Sequence, residues 1–76
     1  MEDVFMAEIK ILDVVALTED IHERNLIRGQ VGTVVESLPP DAFEVEFSDD
    51  QGRTYATIAL RGEQLLVLHH RPVKAA

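Results

Sequence analysis

The chain reads as all-β: a small, five-stranded, partly open barrel with a long loop after the first strand. Three observations predict this. Short β-branched or alternating runs recur between turn residues. No apolar stripe continues at the 3.6-residue spacing of a helix. The length, 76 residues, suits one domain, and a sheet this small hides most of its edges by curling.

Residues 1–8 read as an N-terminal extension, with Met6 as a second candidate start. Residues 9–69 form the barrel. Alternation from Ile9 leads into the first confident strand, Asp13–Leu17. Thr18–Arg28 is polar, an excursion loop tucked down by Ile21 and Leu26, and Asp20 and Glu23 have the spacing of a capping box around one helical turn. Then comes the stretch that organises the rest, Leu26-Ile27-Arg28-Gly29-Gln30-Val31-Gly32-Thr33-Val34-Val35. Its glycines end the loop, and Val31–Leu38 is the second strand. Pro39-Pro40-Asp41 stops that strand, because proline cannot donate to a ladder.

Phe43-Glu44-Val45-Glu46-Phe47 alternates apolar with acidic, the signature of a half-buried third strand. Asp49-Asp50-Gln51-Gly52 is a turn with Gly52 free to take positive φ. Thr54–Leu60 is the fourth strand, residues 61–64 a short turn of 3₁₀ type, and Leu65–Leu68 a wholly apolar last strand. Residues 70–76, broken by Pro72, read as a flexible tail. Five short strands, a long first loop and a tight turn before the last strand point to an SH3-like barrel, with an OB-like barrel as the alternative.

A four-residue hairpin loop at 49–52 pairs Ser48 with Arg53, Phe47 with Thr54, Val45 with Ala56 and Phe43 with Ile58, all on one face. Glu46–Tyr55 and Glu44–Thr57 then share the other face. The preceding hairpin sets Val34 against Val45 and Gly32 against Phe47, so Gly29 and Gly32 read as structural glycines, for positive φ and for close packing beneath the ring. Val31 and Val35 are left facing outwards. Either a bulge resets the parity or another strand or subunit covers them.

Composition narrows the function. There is no cysteine, hence no disulfide framework and no thiolate metal site. The acidic start lacks the basic and apolar parts of a secretory signal, and no run is long enough to span a bilayer, so the expected location is the cytoplasm, with no membrane partner. The net charge of −7 repels nucleic-acid phosphate and favours a basic partner, and it also serves solubility.

Two resemblances follow from these motifs. Gly29-Gln30-Val31-Gly32-Thr33-Val34-Val35, preceded by Val14-Val15-Ala16-Leu17, resembles the KOW-type motif of ribosomal and transcription-elongation SH3-like barrels, which implies binding to RNA or ribosomal protein. A broader pattern joins Leu12-Asp13-Val14-Val15-Ala16-Leu17, then Leu26, Gly29, Gly32-Thr33-Val34-Val35, then Glu44-Val45-Glu46-Phe47, then Asp50, Gly52, Thr54 and Gln64-Leu65. From about Ile9 to Leu68 it resembles a bacterial family of small proteins known chiefly as a domain of unknown function. The resemblance gives no activity. The resemblance implies small acidic genes that can neighbour toxin-like genes, and with that an antitoxin-like or immunity-like binding role.

The residues themselves favour binding over catalysis. Ser37, Ser48, His22 and His69-His70 form no nucleophile elbow or triad, so the chain is read as no enzyme and no cofactor is expected. Adjacent histidines on a strand point to opposite faces and cannot chelate together, and Asp49-Asp50 lacks the ligand pattern of a calcium loop, so no metal site is expected. Arg24, Arg28 and Arg53 are the candidate nucleic-acid contacts, in a region crowded by Glu36, Glu44, Glu46, Asp49 and Asp50. A protein partner is the leading expectation, on a face of Glu44, Glu46, Tyr55 and Thr57 suited to a basic protein. A merely solvated sheet face predicts the same alternation. A homodimer through the apolar outward positions, and an accessory barrel in a larger enzyme complex, are the further readings.

Overall fold

In the computed structural model, residues 8–70 and residue 72 are described. The expectations for the first seven residues, and for most of the C-terminal tail, lie outside them. The described residues form five strands and two 3₁₀ turns: β1 (Val14–Leu17), a turn at His22–Arg24, β2 (Val31–Leu38), β3 (Ala42–Ser48), β4 (Thr54–Arg61), a turn at Gly62–Gln64, and β5 (Leu65–Val67). The strands make one antiparallel sheet in the order β4-β3-β2-β1-β5. The sheet is bent but not closed, a small partly open barrel.

One face of the sheet carries the core. Val15 and Leu17 of β1, Val34 of β2, Val45 and Phe47 of β3, Leu60 of β4 and Leu65 of β5 are buried together. Each strand contributes alternate residues, as the pleat requires. Ile21 and Leu26 complete the cluster from the excursion loop. They also bond to each other through their backbones, Ile21 N–H to the Leu26 carbonyl at 2.8 Å and the reverse at 3.2 Å. That bridge closes the loop on itself with both side chains in the core.

The capping box expected of Asp20 and Glu23 does not form. The turn starts one residue later, with Ile21 in the N-cap position and no side-chain cap. The Ile21–Leu26 bridge sets that start, and Asp20 Oδ1 instead accepts the N–H of Arg28 at 2.8 Å. Gln64 ties the other end of the loop. Its side chain is buried, Oε1 accepting the Arg61 N–H at 2.8 Å and Nε2 donating to Glu19 at 3.0 Å. Gly29 has φ +92°, the left-handed region, and donates its N–H to the Leu17 carbonyl.

The β2–β3 register is the expected one, with Gly32 opposite Phe47 and Val34 opposite Val45. A bulge follows between Val34 and Glu36, after which Glu36 faces Glu44. The irregularity leaves Val31 and Val35 exposed rather than turning either inwards.

The β3–β4 register corrects the expected one by two residues. Phe47 lies opposite Ala56, Val45 opposite Ile58 and Phe43 opposite Leu60, while Ser48 pairs with Thr54. The cause is the Asp49 carboxylate. Its Oδ1 accepts the N–H groups of both Gln51 and Arg53 at 2.9 Å. Asp49 N–H also donates to the Arg53 carbonyl at 2.8 Å, so Asp49 and Arg53 close a three-residue loop with Gly52 at φ +81°. A bulge at Tyr55 absorbs the remaining residue. Because the net shift is even, every apolar side chain keeps its face.

The same loop carries a pH dependence. The Arg53 N–H, above all, holds the Asp49 carboxyl below its ordinary value of 3.8; desolvation opposes this and the Gln51 N–H adds to it. A folded value below the unfolded one stabilises the hairpin in full above that ordinary value and loses this contribution as pH falls through the folded value. In a carboxyl-detected NMR titration Asp49 is expected to titrate below 3.8. A midpoint at or above that value would disprove the loop chemistry.

Candidate functional site

Residues directly opposite in an antiparallel pair share a face, so the registers define the outer surface of the sheet. One row runs Leu66–Ala16–Val31 across β5, β1 and β2. The next runs Val14–Thr33–Glu46–Thr57 from β1 to β4. A third runs Glu36–Glu44–Ala59 across β2, β3 and β4. The outer face therefore divides by strand. It is apolar over β5, β1 and the start of β2, acidic over the end of β2 and β3, and small and neutral over β4 as far as Arg61, which ends that strand opposite Ala42.

Glu44, Glu46 and Thr57 occupy the outer face as the alternation required, and Glu46 now neighbours Thr57. Tyr55 does not sit in their row. At the bulge its ring lies 6.4 Å from that of the buried Phe47, and its hydroxyl accepts a hydrogen bond from Gln30 Nε2 at 2.8 Å. It ties the β4 end of the sheet to the excursion loop. Thr57 takes the place opposite Glu46 that the expected register gave to the tyrosine, and Glu36 joins the other two glutamates from β2, opposite Glu44. The outward parity of Val31 and Val35 raised a bulge in β2 as one possibility; that bulge brings Glu36 to the outer face and leaves both valines exposed.

The electrostatics of this group are one-sided. Among the described residues no ion pair and no side-chain hydrogen bond engages Glu36, Glu44 or Glu46. Like charges directly opposite on paired strands destabilise a sheet. Glu36→Lys is therefore expected to raise the stability by about 0.5 kcal/mol in low salt, and less in high salt. Urea titrations at two ionic strengths measure it. A loss of stability in low salt would show that Glu36 makes a favourable contact on this face.

The three candidate arginines have different partners. Arg53 is engaged by Asp49 at 3.2 Å and by Gln51 at 2.6 Å within the hairpin loop. Arg24 reaches the Thr57 carbonyl at 3.5 Å, and Arg28 meets Asp20 through its backbone. His69 and His70 are exposed, and among the described residues no three His, Asp or Glu side chains converge as metal ligands. The hairpin residues Asp49, Asp50, Gln51 and Arg53 line an open concavity of about 300 Å³ whose polar groups are largely used by one another. No described helix is long and apolar enough to cross a membrane.

Fold and surface define a small, acidic, all-β barrel with one sheet face divided between apolar and acidic halves. The chain belongs to the family described as Domain of unknown function (DUF4926), whose model matches residues 11–67. That span runs from the turn before β1 to the end of β5, so it takes in the whole sheet. Comparison with curated proteins gave no match, and neither did comparison with solved structures.

Proposed function

We propose that this protein is a non-enzymatic binding module of the cytoplasm that docks a basic protein partner on its outer glutamate face, in an antitoxin-like or modulator role. The observation that carries the reading is the Glu36–Glu44 pairing with Glu46 alongside. Three carboxylates share one face, and among the described residues no cation pairs with any of them. Held side by side, they raise each other's energy until a cation approaches, and a Lys- or Arg-bearing surface relieves that repulsion. The net charge of −7 adds long-range attraction for such a partner and repels a phosphate backbone. The antitoxin-like part rests on the family resemblance and on this charge.

The test is affinity capture from native lysate at several salt concentrations, with the wild-type chain and with Glu44→Lys/Glu46→Lys as parallel baits. Both side chains are on the outer face, so the double variant keeps its core. The expected result is a basic protein recovered by the wild type, lost by the double variant, and released as salt rises. Recovery of the bait alone at every salt concentration would overturn the reading.

A further inference from the structure

The acidic row has an apolar neighbour. Leu66 is 57% exposed and Val31 47%, and both flank Ala16 in the outer row of β5, β1 and β2. Val35, 38% exposed, follows on β2 beside Glu36. The N–H of Leu12 donates to the Val34 carbonyl at 2.7 Å, which sets Leu12 next to Val35. Leu12 is 74% exposed and has φ +78°, a conformation that side chains with a Cβ rarely adopt. The turn that holds it there is fixed by Lys10 and Asp13, through Lys10 N–H to Asp13 Oδ2 at 2.8 Å and Asp13 N–H to the Lys10 carbonyl at 3.0 Å. Leu12, Val31, Val35 and Leu66 thus lie along one outer face, in two apolar pairs separated by the Val14–Thr33 row, and Glu36, Glu44 and Glu46 border them along β2 and β3.

We propose that this divided face docks an amphipathic helical segment of a partner protein, one with an apolar stripe flanked on one side by Lys or Arg. The inference rests on the basic-partner reading and specifies how the partner is recognised. Charge complementarity selects the occupant. A second copy would bring a like-charged face against this one, in a chain of net charge −7, and Arg61, at the end of the β4 row of that face, is held by Glu63 at 2.9 Å. The dimensions agree. Neighbouring strands are about 4.8 Å apart and a helix with its side chains is about 10–12 Å across. A helix laid over β1 and β2 therefore reaches towards β5 on one side and β3 on the other. Its apolar stripe meets Val31 and Val35, and its basic flank meets Glu44 and Glu46. The apolar pairs supply affinity by excluding water; the glutamates set orientation and reject acidic or neutral helices.

The experiment titrates the isotope-labelled full chain with a synthetic amphipathic helix of about 18 residues. Its leucines lie at i, i+3 and i+4, and lysines run along one flank. Two control peptides replace the leucines by serine or the lysines by glutamate. Amide shifts are expected at Leu12, Val31, Val35, Glu44, Glu46 and Leu66, with binding at least about tenfold tighter than either control. Leu66→Ser and Val35→Ser, both at exposed positions, are each expected to weaken binding several-fold while the melting temperature holds. Equal binding of the serine peptide would overturn the apolar pairs as a docking site and leave the basic-partner reading intact. Equal binding of the glutamate peptide would overturn both. Absence of shifts with every peptide, or self-association through the same residues, would overturn the docking proposal alone.

Discussion

Phe47→Ala is expected to leave this protein largely unfolded at 25 °C. Phe47 is fully buried on the inner face of β3, between Gly32 of β2 and Ala56 of β4. Truncating a buried phenylalanine costs about 3–5 kcal/mol, the lost transfer energy plus the cavity left behind. The whole domain has roughly 4–11 kcal/mol to lose, from typical values per residue. A chain of 76 residues with a single small core belongs near the low end of that range. The core cannot collapse to fill the space, because the neighbours on both sides are already the smallest residues. Urea unfolding followed by far-ultraviolet circular dichroism measures the effect. With a slope of about 1 kcal/mol per molar, the midpoint falls by roughly 3–5 M, or the variant is unfolded without denaturant. A midpoint within about 1 M of wild type would show that Phe47 is not the centre of the core.

Gly32→Ala is expected to destabilise by about 1–3 kcal/mol, and Gly32→Val by more. The sign is what makes the experiment informative. Adding a Cβ to a glycine with ordinary φ, where space allows, stabilises by about 0.4–1 kcal/mol, because the unfolded chain loses freedom. At Gly32 space does not allow it. A Cβ there would meet Val45 Cγ1 at 2.7 Å, the Glu46 carbonyl oxygen at 2.9 Å and Phe47 Cδ1 at 2.9 Å. Two of these are side chains that can shift a little; the third is sheet backbone, which cannot move without disturbing the β2–β3 ladder. The double variant Gly32→Ala/Phe47→Leu removes the ring atom and leaves the carbonyl contact. It is therefore expected to recover part of the Gly32→Ala loss, with a coupling of about 1 kcal/mol in a double-mutant cycle. Gly32→Ala at or above wild-type stability would refute the close approach.

Gly32 and Phe47 also show how far local pattern reaches. Their pairing is legible because alternation in Phe43–Phe47 and the β-branched run from Val31 place both on the inner face, and only a glycine tolerates a ring so near. The strand positions are legible for the same reason, each being a short alternating or apolar run ended by proline, glycine or aspartate. The β3–β4 register was not legible to the residue. Counting residues 49–52 as the loop overlooks that the Asp49 side chain takes two backbone N–H groups and draws Arg53 into the closing pair. The candidate face was legible in part. Glu44, Glu46 and Thr57 follow from alternation, whereas Glu36 joins them only through a bulge and Tyr55 leaves them through another.

The amino-acid sequence by itself determined which segments are strands, which side chains face the core and the sign of the surface charge. These depend on a side chain's position in a two-residue repeat and on turn residues nearby, both of which are local. The tertiary structure alone decided that Glu36 opposes Glu44, that Tyr55 turns towards Gln30, and that Leu12 lies beside Val35. Each follows from hydrogen bonds between separate segments, or from an extra residue accommodated in a ladder. Such choices are made by the competition of whole strands for partners, and no short stretch of residues encodes them.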